Sequence, residues 1–405
     1  MGTISRKLGL QLTGLVCAVS AALVTAAAVA ATSGAPVRVG GTLALTGPLA
    51  PTGLIHKIVG EIYVEQANKR DGFLGRPVEW VLLDDQSKAD LARSLYEKLV
   101  TVDRVDLLLG PYATGGILSA MAVAERHGKL LIHNTLGIPK LAKYERQIPV
   151  YSIGAVPEQT LPATLFDALA ANGKTPKTVA FVTSKFPSVH FMSVGARETA
   201  KKRGINEALW LEFEFGTRDF GPIAARIREA NADFLWVGSI GLEGNQLLEA
   251  LKKLDYAPKN PFFLYPSPGP LAQSPDAANA LSMTLFEDHA PFTNTPQATE
   301  FARLYRERAG KAGITYLDAD MQAAVAYAAW QTLEAAVTAT RSLDDAKLAQ
   351  WLRANRVDTL IGKLRFDGAG NYGDDLQKIK QVQAGRWITV WPREFAPPGA
   401  RMNLQ

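Results

Sequence analysis

From Val37 onward, short apolar runs alternate with segments of helical period almost without a break. Val37 to Leu45 predicts a strand, and Ile55 to Asn68 a helix with Ile55, Val59, Ile62 and Tyr63 on one face. Val78 to Asp84 predicts a second strand and Ala89 to Thr101 an amphipathic helix. The run Val105-Asp106-Leu107-Leu108-Leu109 is nearly continuous in apolar residues, as a parallel strand buried on both faces should be. A helix from Ile117 to His127 and a strand from Lys129 to His133 follow. The alternation restarts after Gly154, with strands predicted at Thr178–Thr183, Ala208–Phe215, Ala232–Gly238 and Pro261–Leu264. Helices near Phe191–Lys202, Phe220–Ala230 and Glu243–Leu254 separate them. Two doubly wound α/β units with parallel sheets are the predicted architecture. Beyond Asp288 the pattern is mostly helical, at Pro296–Ala309, Ala319–Thr338 and Asp345–Asn355. Short strand-like runs then follow at Lys363–Phe366, Leu376–Gln381 and Trp387–Val390. No low-complexity linker divides the halves, which fits lobes joined by several crossings better than beads on a string.

The first thirty residues break this pattern. Arg6 and Lys7 precede an acid-free apolar stretch, Leu8 to Ala30, ending in Ala28-Val29-Ala30. That is the form of an export signal with an Ala-x-Ala cleavage site; an uncleaved membrane anchor is the alternative. Cys17, the single cysteine, lies inside the stretch, so cleavage after Ala30 leaves a mature chain without disulfides. It also removes Arg6 and Lys7, taking the formal net charge from +5 to +3. Export to the periplasm is the expectation.

Composition adds little and excludes some classes. With 405 residues, 47% hydrophobic and 20% charged, the chain has room for two ordinary globular domains. Its positive charge is spread thinly, with no basic block, so a nucleic-acid partner is not expected. The histidines His56, His127, His133, His190 and His289 show no zinc-ligand spacing. Tyr265-Pro266-Ser267-Pro268-Gly269 has tyrosine where a nucleophile elbow needs glycine. No cofactor, metal or enzymatic activity is expected.

In open parallel sheets ligands sit beyond the carboxyl ends of the strands, so the loops there are the candidates. Leu45-Thr46-Gly47-Pro48 follows the first strand, and Gly110-Pro111-Tyr112-Ala113-Thr114-Gly115-Gly116 follows the third and opens a helix. His133-Asn134-Thr135-Leu136-Gly137 follows the fourth. Glycines allow close backbone approach and a helix N-terminus offers free N–H groups to an anion. The 110–116 loop reads either as an anion-binding site or as a plain N-cap and turn. It lacks the Lys-Ser/Thr ending of a P-loop, so nucleotide is not the expected ligand.

The loop motifs, in order and spacing, resemble the leucine/isoleucine/valine-binding protein family. The resemblance rests on Leu45-Thr46-Gly47-Pro48, Asn68 with Gly72-Phe73-Leu74-Gly75-Arg76, Asp84-Asp85-Gln86-Ser87, Gly110-Pro111, and Val357 to Gly362 with Phe366-Asp367 and Gly370. It spans about Val37 to Trp391 and implies two Rossmann-like lobes of the type I periplasmic binding fold, closing on a ligand through three crossings. The crossings would fall near Ala155, Phe286 and Gly362, making one lobe of residues 36–155 plus 286–362 and the other of 156–285 plus 363–405. It further implies a monomer that delivers a small solute to an inner-membrane ABC permease. A sensor domain of the same fold, or a branched-chain amino-acid binder, is the alternative.

Carried over residue by residue, Thr114 takes the position of a hydroxyl on the ligand carboxylate, and Thr135, Leu136 and Gly137 the loop that completes it. Gly137 replaces the usual threonine, which removes one donor. Ile240 stands where amino-acid-binding members have tyrosine, and Ser267 where they have the glutamate that pairs the ammonium. Ser188 stands roughly where an aromatic closes the site. A buried ammonium without a counter-charge is costly, so a carboxylate lacking an α-amino group, such as an aromatic acid, is the expected ligand. Tyr112, Tyr265 and His56 are the candidate lining, with Thr46 and Ala113 beside the carboxylate loop.

Overall fold

The structure, a computed structural model, describes residues 1–2, 34–266 and 268–405. Residues 3–30 of the expected signal segment, Cys17 among them, and Ser267 lie outside the described residues.

The first sheet is built from β1 (Val37–Leu43), β2 (Val78–Asp84), β3 (Leu107–Leu109), β4 (Leu131–His133) and β5 (Gln147–Pro149). They lie in the order β2-β1-β3-β4-β5, all parallel. Between them run α1 (Ala50–Lys69), α2 (Ala89–Thr101) and α3 (Thr114–Arg126). Leu107, Leu108 and Leu109 are buried on both faces of the sheet, each worth about 1.5–3 kcal/mol of transfer free energy.

After α4 (Pro157–Ala171) the alternation resumes with β6 (Thr178–Ser184), α5 (Pro187–Lys202), β7 (Asn206–Phe213), α6 (Gly221–Ala230), β8 (Phe234–Gly241), α7 (Glu243–Lys253), β9 (Pro261–Pro266), α8 (Pro268–Ala272) and β10 (Leu281–Thr284). The chain continues through α9 (Pro296–Lys311), α10 (Met321–Thr340) and α11 (Asp345–Ala354) to a hairpin of β11 (Val357–Thr359) and β12 (Gly362–Leu364). It ends with β13 (Lys378–Gln383) and β14 (Arg386–Trp391). The second sheet has the order β14-β13-β10-β9-β8-β6-β7, parallel from β10 to β7, with β13 and β14 added antiparallel at one end.

The chain passes between the sheets after β5, after β10 and again before β13. Two of these passages touch: Ile153 bridges Asp375, and Leu376 N–H donates to Ser152 O at 2.9 Å. At the passage after β10, Glu287 is buried and accepts from Lys380 Nζ at 2.7 Å and from Thr284 Oγ1 at 2.8 Å. Helices α9 and α10 pack on α1 of the first unit. Helix α10 is apolar nearly all round and correspondingly buried on most of its faces. Among the described residues no helix is long and apolar enough to cross a membrane.

Candidate functional site

A cavity lies between the two sheets, at the carboxyl ends of their parallel strands. Tyr112, Ala113, Thr135, Gly137, Tyr151 and Gln322 line it from the first unit and its packed helices; Ser188, Ile240 and Tyr265 line it from the second. It encloses about 320 Å³ of empty space, counting the part open to solvent.

The first side is fixed by backbone geometry. Ala113 has φ +71°, ψ 151° and stands at the N-cap of α3, so the chain turns sharply into the helix there. Its N–H donates to Thr135 Oγ1 at 3.0 Å, and Gly137 N–H donates to Thr114 Oγ1 at 3.1 Å. Each hydroxyl is thus oriented as an acceptor and keeps its own proton to donate. Thr114 is not among the lining residues; it is buried next to Ala113, which is, with its hydroxyl on the N–H of Gly137.

Gly137 is where the two sides meet. A Cβ built there would lie 2.9 Å from Ser188 Cβ and 3.6 Å from Tyr265 Oη. A glycine here is what allows Ser188, in the first turn of α5, to come against this loop.

On the second side, β8 and β9 set Ile240 opposite Tyr265, past an irregularity in register between Val237 and Ile240. The Tyr265 hydroxyl is buried beside Tyr151 (ring centroids 6.5 Å apart) without an aligned hydrogen-bond partner among the described residues. Burial raises the Tyr265 and Tyr151 phenols above the usual range, so both remain protonated donors. Glu243, three residues beyond Ile240, is not part of the lining. Its carboxylate oxygens accept from Ile240 N–H at 3.0 Å and Ser184 Oγ at 3.2 Å, and burial raises its pKa to about 7. Among the described residues no charged side chain lines the cavity.

Tyr112 is held from two directions. Its ring meets His56 edge-on at 5.3 Å, and its hydroxyl, whose pKa burial raises to about 12, lies beside the Thr52 side chain. His56 Nε2 pairs with Gln322 Oε1 at 3.1 Å. Burial lowers the His56 pKa to about 4, so the ring is neutral near pH 7 and brings no cation to the site. His56 braces Tyr112 and Gln322 from behind.

Several expected residues stand elsewhere. Thr46 is exposed, and its hydroxyl donates to Asp84 Oδ2 at 2.7 Å. Asp84 Oδ1 also accepts from the N–H groups of Leu45, Thr46 and Gln86, so this conspicuous motif is the pin of a turn. Leu136 is wholly buried, and its carbonyl accepts from Tyr372 Oη at 3.0 Å. Ser267 lies outside the described residues. Two lining residues, Tyr151 and Gln322, escape the sequence reading. Tyr151 follows a three-residue strand with no periodicity of its own, whereas Gln322 could have been flagged as an amide at the start of an otherwise Ala-rich helix.

Comparisons with known proteins agree with this architecture. The Leu/Ile/Val-binding protein BraC3 of Rhizobium johnstonii is 25% identical over 382 residues, covering 92% of this chain and 98% of that protein. A leucine-, isoleucine-, valine-, threonine- and alanine-binding protein of Pseudomonas aeruginosa is 24% identical over 332 residues, covering 81% and 84%. Among solved structures, a leucine binding protein of Thermotoga maritima superposes with TM-score 0.74 at 18% identity, covering 87% of this chain and 97% of that one. An ABC transporter solute binding protein of R. palustris in complex with benzoate superposes with TM-score 0.72 at 18% identity, covering 87% and 95%. These structures share the type I periplasmic binding fold. The profile described as "Periplasmic binding protein" matches residues 36–386, and the chain belongs to that family.

Proposed function

We propose that this chain captures a small carboxylate without an α-ammonium group, of the benzoate class, and delivers it to the permease of an ABC importer. The observation that carries this reading is the lining itself: among the described residues, hydroxyl and amide groups with no ionised side chain. A carboxylate finds a donor in the Thr135 hydroxyl, which lines the cavity beside Ala113, and a second in the adjacent Thr114 hydroxyl at the start of α3, where the helix dipole also favours negative charge. Charge-assisted bonds of this kind contribute about 1.5–3 kcal/mol each. An ammonium in the same cavity would face phenols and Ile240 with no counter-charge. The benzoate-bound relative of the same fold supports the class.

In this proposal residues 36–155 with 286–362 form one lobe and 156–285 with 363–405 the other. The first lobe receives the carboxylate; the second then closes with Ser188, Ile240 and Tyr265, expelling water. Ligand shifts the population to the closed form, whose joined surfaces the permease reads. The protein works as a monomer, exported by its N-terminal segment. Its role is binding rather than catalysis.

A thermal-shift panel on ligand-stripped protein tests this, because a ligand of the native state raises the melting temperature with dose. Aromatic acids should raise it and leucine, isoleucine and valine should not. Stabilisation by the amino acids alone would favour the branched-chain reading that the curated relatives' names suggest.

A further inference from the structure

A second, larger chamber adjoins the cavity and enters no part of the site described so far. It holds about 720 Å³ of empty space, again counting the part open to solvent, against about 320 Å³ for the cavity. Its walls come from the first turns of α1 (Pro51, Thr52, Leu54, Ile55), from Gly269 and Pro270 in α8, from Tyr305, and from residues 313–320. It therefore also lies at the carboxyl ends of strands, β1 on one side and β9 on the other. A Cβ on Gly269 would lie 2.4 Å from Tyr316 Cβ, so the second unit seals this end directly against Tyr316.

Cavity and chamber share a wall. Tyr112 lines the cavity and Thr52 the chamber, and the two side chains are neighbours. Gln322 lines the cavity and Asp320, which caps the same helix, lines the chamber. The chamber is walled largely by proline, aliphatic and tyrosine side chains, with carboxylates at its base. Asp318 is engaged by Arg386 at 2.6 Å, whereas Asp320 Oδ1 takes both capping bonds, from Gln322 and Ala323, and Oδ2 takes part in neither.

We infer that the chamber is a second ligand subsite, and that the solute is an arylalkanoic acid with a ring hydroxyl rather than a bare benzoate. The carboxylate occupies the corner of Thr114 and Thr135. The chain passes between Tyr112 and Thr52. The ring lies among Leu54, Ile55, Tyr305 and Ile314, and its hydroxyl donates to Asp320. This rests on the carboxylate reading above and sets the length and far end of the ligand.

The test is titration calorimetry of the stripped full-length mature protein with benzoate and with para-hydroxyphenylpropanoate, for wild type and Ile314→Trp. Ile314 lines the chamber, is only partly buried and does not line the cavity. The longer acid should bind at least about tenfold more tightly than benzoate to wild type. Ile314→Trp should abolish that advantage and leave benzoate within about twofold. Leu54→Trp, filling the chamber from α1, should do the same. Equal binding of both acids to wild type, or tryptophan variants that weaken both acids alike, would overturn the subsite while leaving the carboxylate reading standing. Binding of neither acid would overturn both. Tighter binding of an ω-amino carboxylate than of the phenolic acid would overturn the assignment of the far end.

Discussion

The two sides of the cavity solve different problems. On the first, polar groups are satisfied before any ligand arrives: Thr114 and Thr135 accept backbone N–H bonds, and His56, Gln322, Tyr112 and Thr52 form a braced network. On the second, Ile240 is apolar and the buried Tyr265 hydroxyl lacks an aligned partner among the described residues. An unpaired buried hydroxyl costs about 1–3 kcal/mol, which a ligand oxygen would recover. The contrast teaches a division of labour. A preorganised side receives the anion, and an incompletely satisfied side gains most from closing over it.

That comparison can be broken at its seam. Gly137→Thr puts a branched side chain where a Cβ alone would already lie 2.9 Å from Ser188. Affinity should fall about a hundredfold, equivalent to about 2.7 kcal/mol, and small-angle scattering with saturating ligand should show a more open particle. Unchanged affinity would mean that the sides need not meet here.

On the preorganised side, Thr114→Ala should weaken binding about tenfold while leaving the melting temperature of the stripped protein within a few degrees. Thr114→Ser, which keeps the hydroxyl, should restore most of the loss by calorimetry. If the serine variant is as weak as alanine, Thr114 acts through packing and not as a donor.

On the second side, Tyr265→Phe removes the unaligned phenol. Binding should fall by about fivefold and the stripped protein should melt no lower than wild type, because a buried hydroxyl without a good partner disappears. A clear drop in melting temperature would show that the phenol is already well bonded without ligand.

The smallest effect concerns Glu243 beneath Ile240. Burial raises its pKa from 4.5 to about 7, so the stability tied to its protonated form is complete below about 4.5 and is lost as pH rises through about 7. Glu243→Gln lacks this dependence. The melting temperature of wild type relative to the variant should therefore decline by roughly a few degrees between pH 4.5 and pH 8. A difference that grows with pH would show that the carboxylate is stabilised in its charged form.

Much of the fold is legible in the sequence where pattern and burial coincide. Strand β2 and helix α2 fall on their expected spans because their periodicity is uninterrupted. Helix α1 begins five residues before the expected Ile55, at Ala50, with Pro51 near its start, where the missing N–H costs nothing. Strands β5 and β10 go unseen because three or four residues cannot show a period; neighbouring strands make them. Helix α4 carries Pro162 inside its span, a residue that argues against a helix when read locally.

The site follows the same logic. The segments after β3 and β4 supply Tyr112, Ala113, Thr135 and Gly137, the first turn of α5 supplies Ser188, and the carboxyl ends of β8 and β9 supply Ile240 and Tyr265; all seven line one cavity. Thr46 and His56 are different, because only three-dimensional partners reveal that one hydroxyl belongs to Asp84 and that one imidazole stands behind Tyr112. No spacing in the chain encodes those contacts.

The most direct test of the central claim is a crystal structure of the protein grown with an aromatic carboxylate. For benzoate, too short to reach the chamber, the account predicts the carboxylate oxygens within hydrogen-bond distance of the Thr114 and Thr135 hydroxyls, with the ring between Tyr112 and Tyr265. A carboxylate directed instead toward the second side, away from the start of α3, would contradict it.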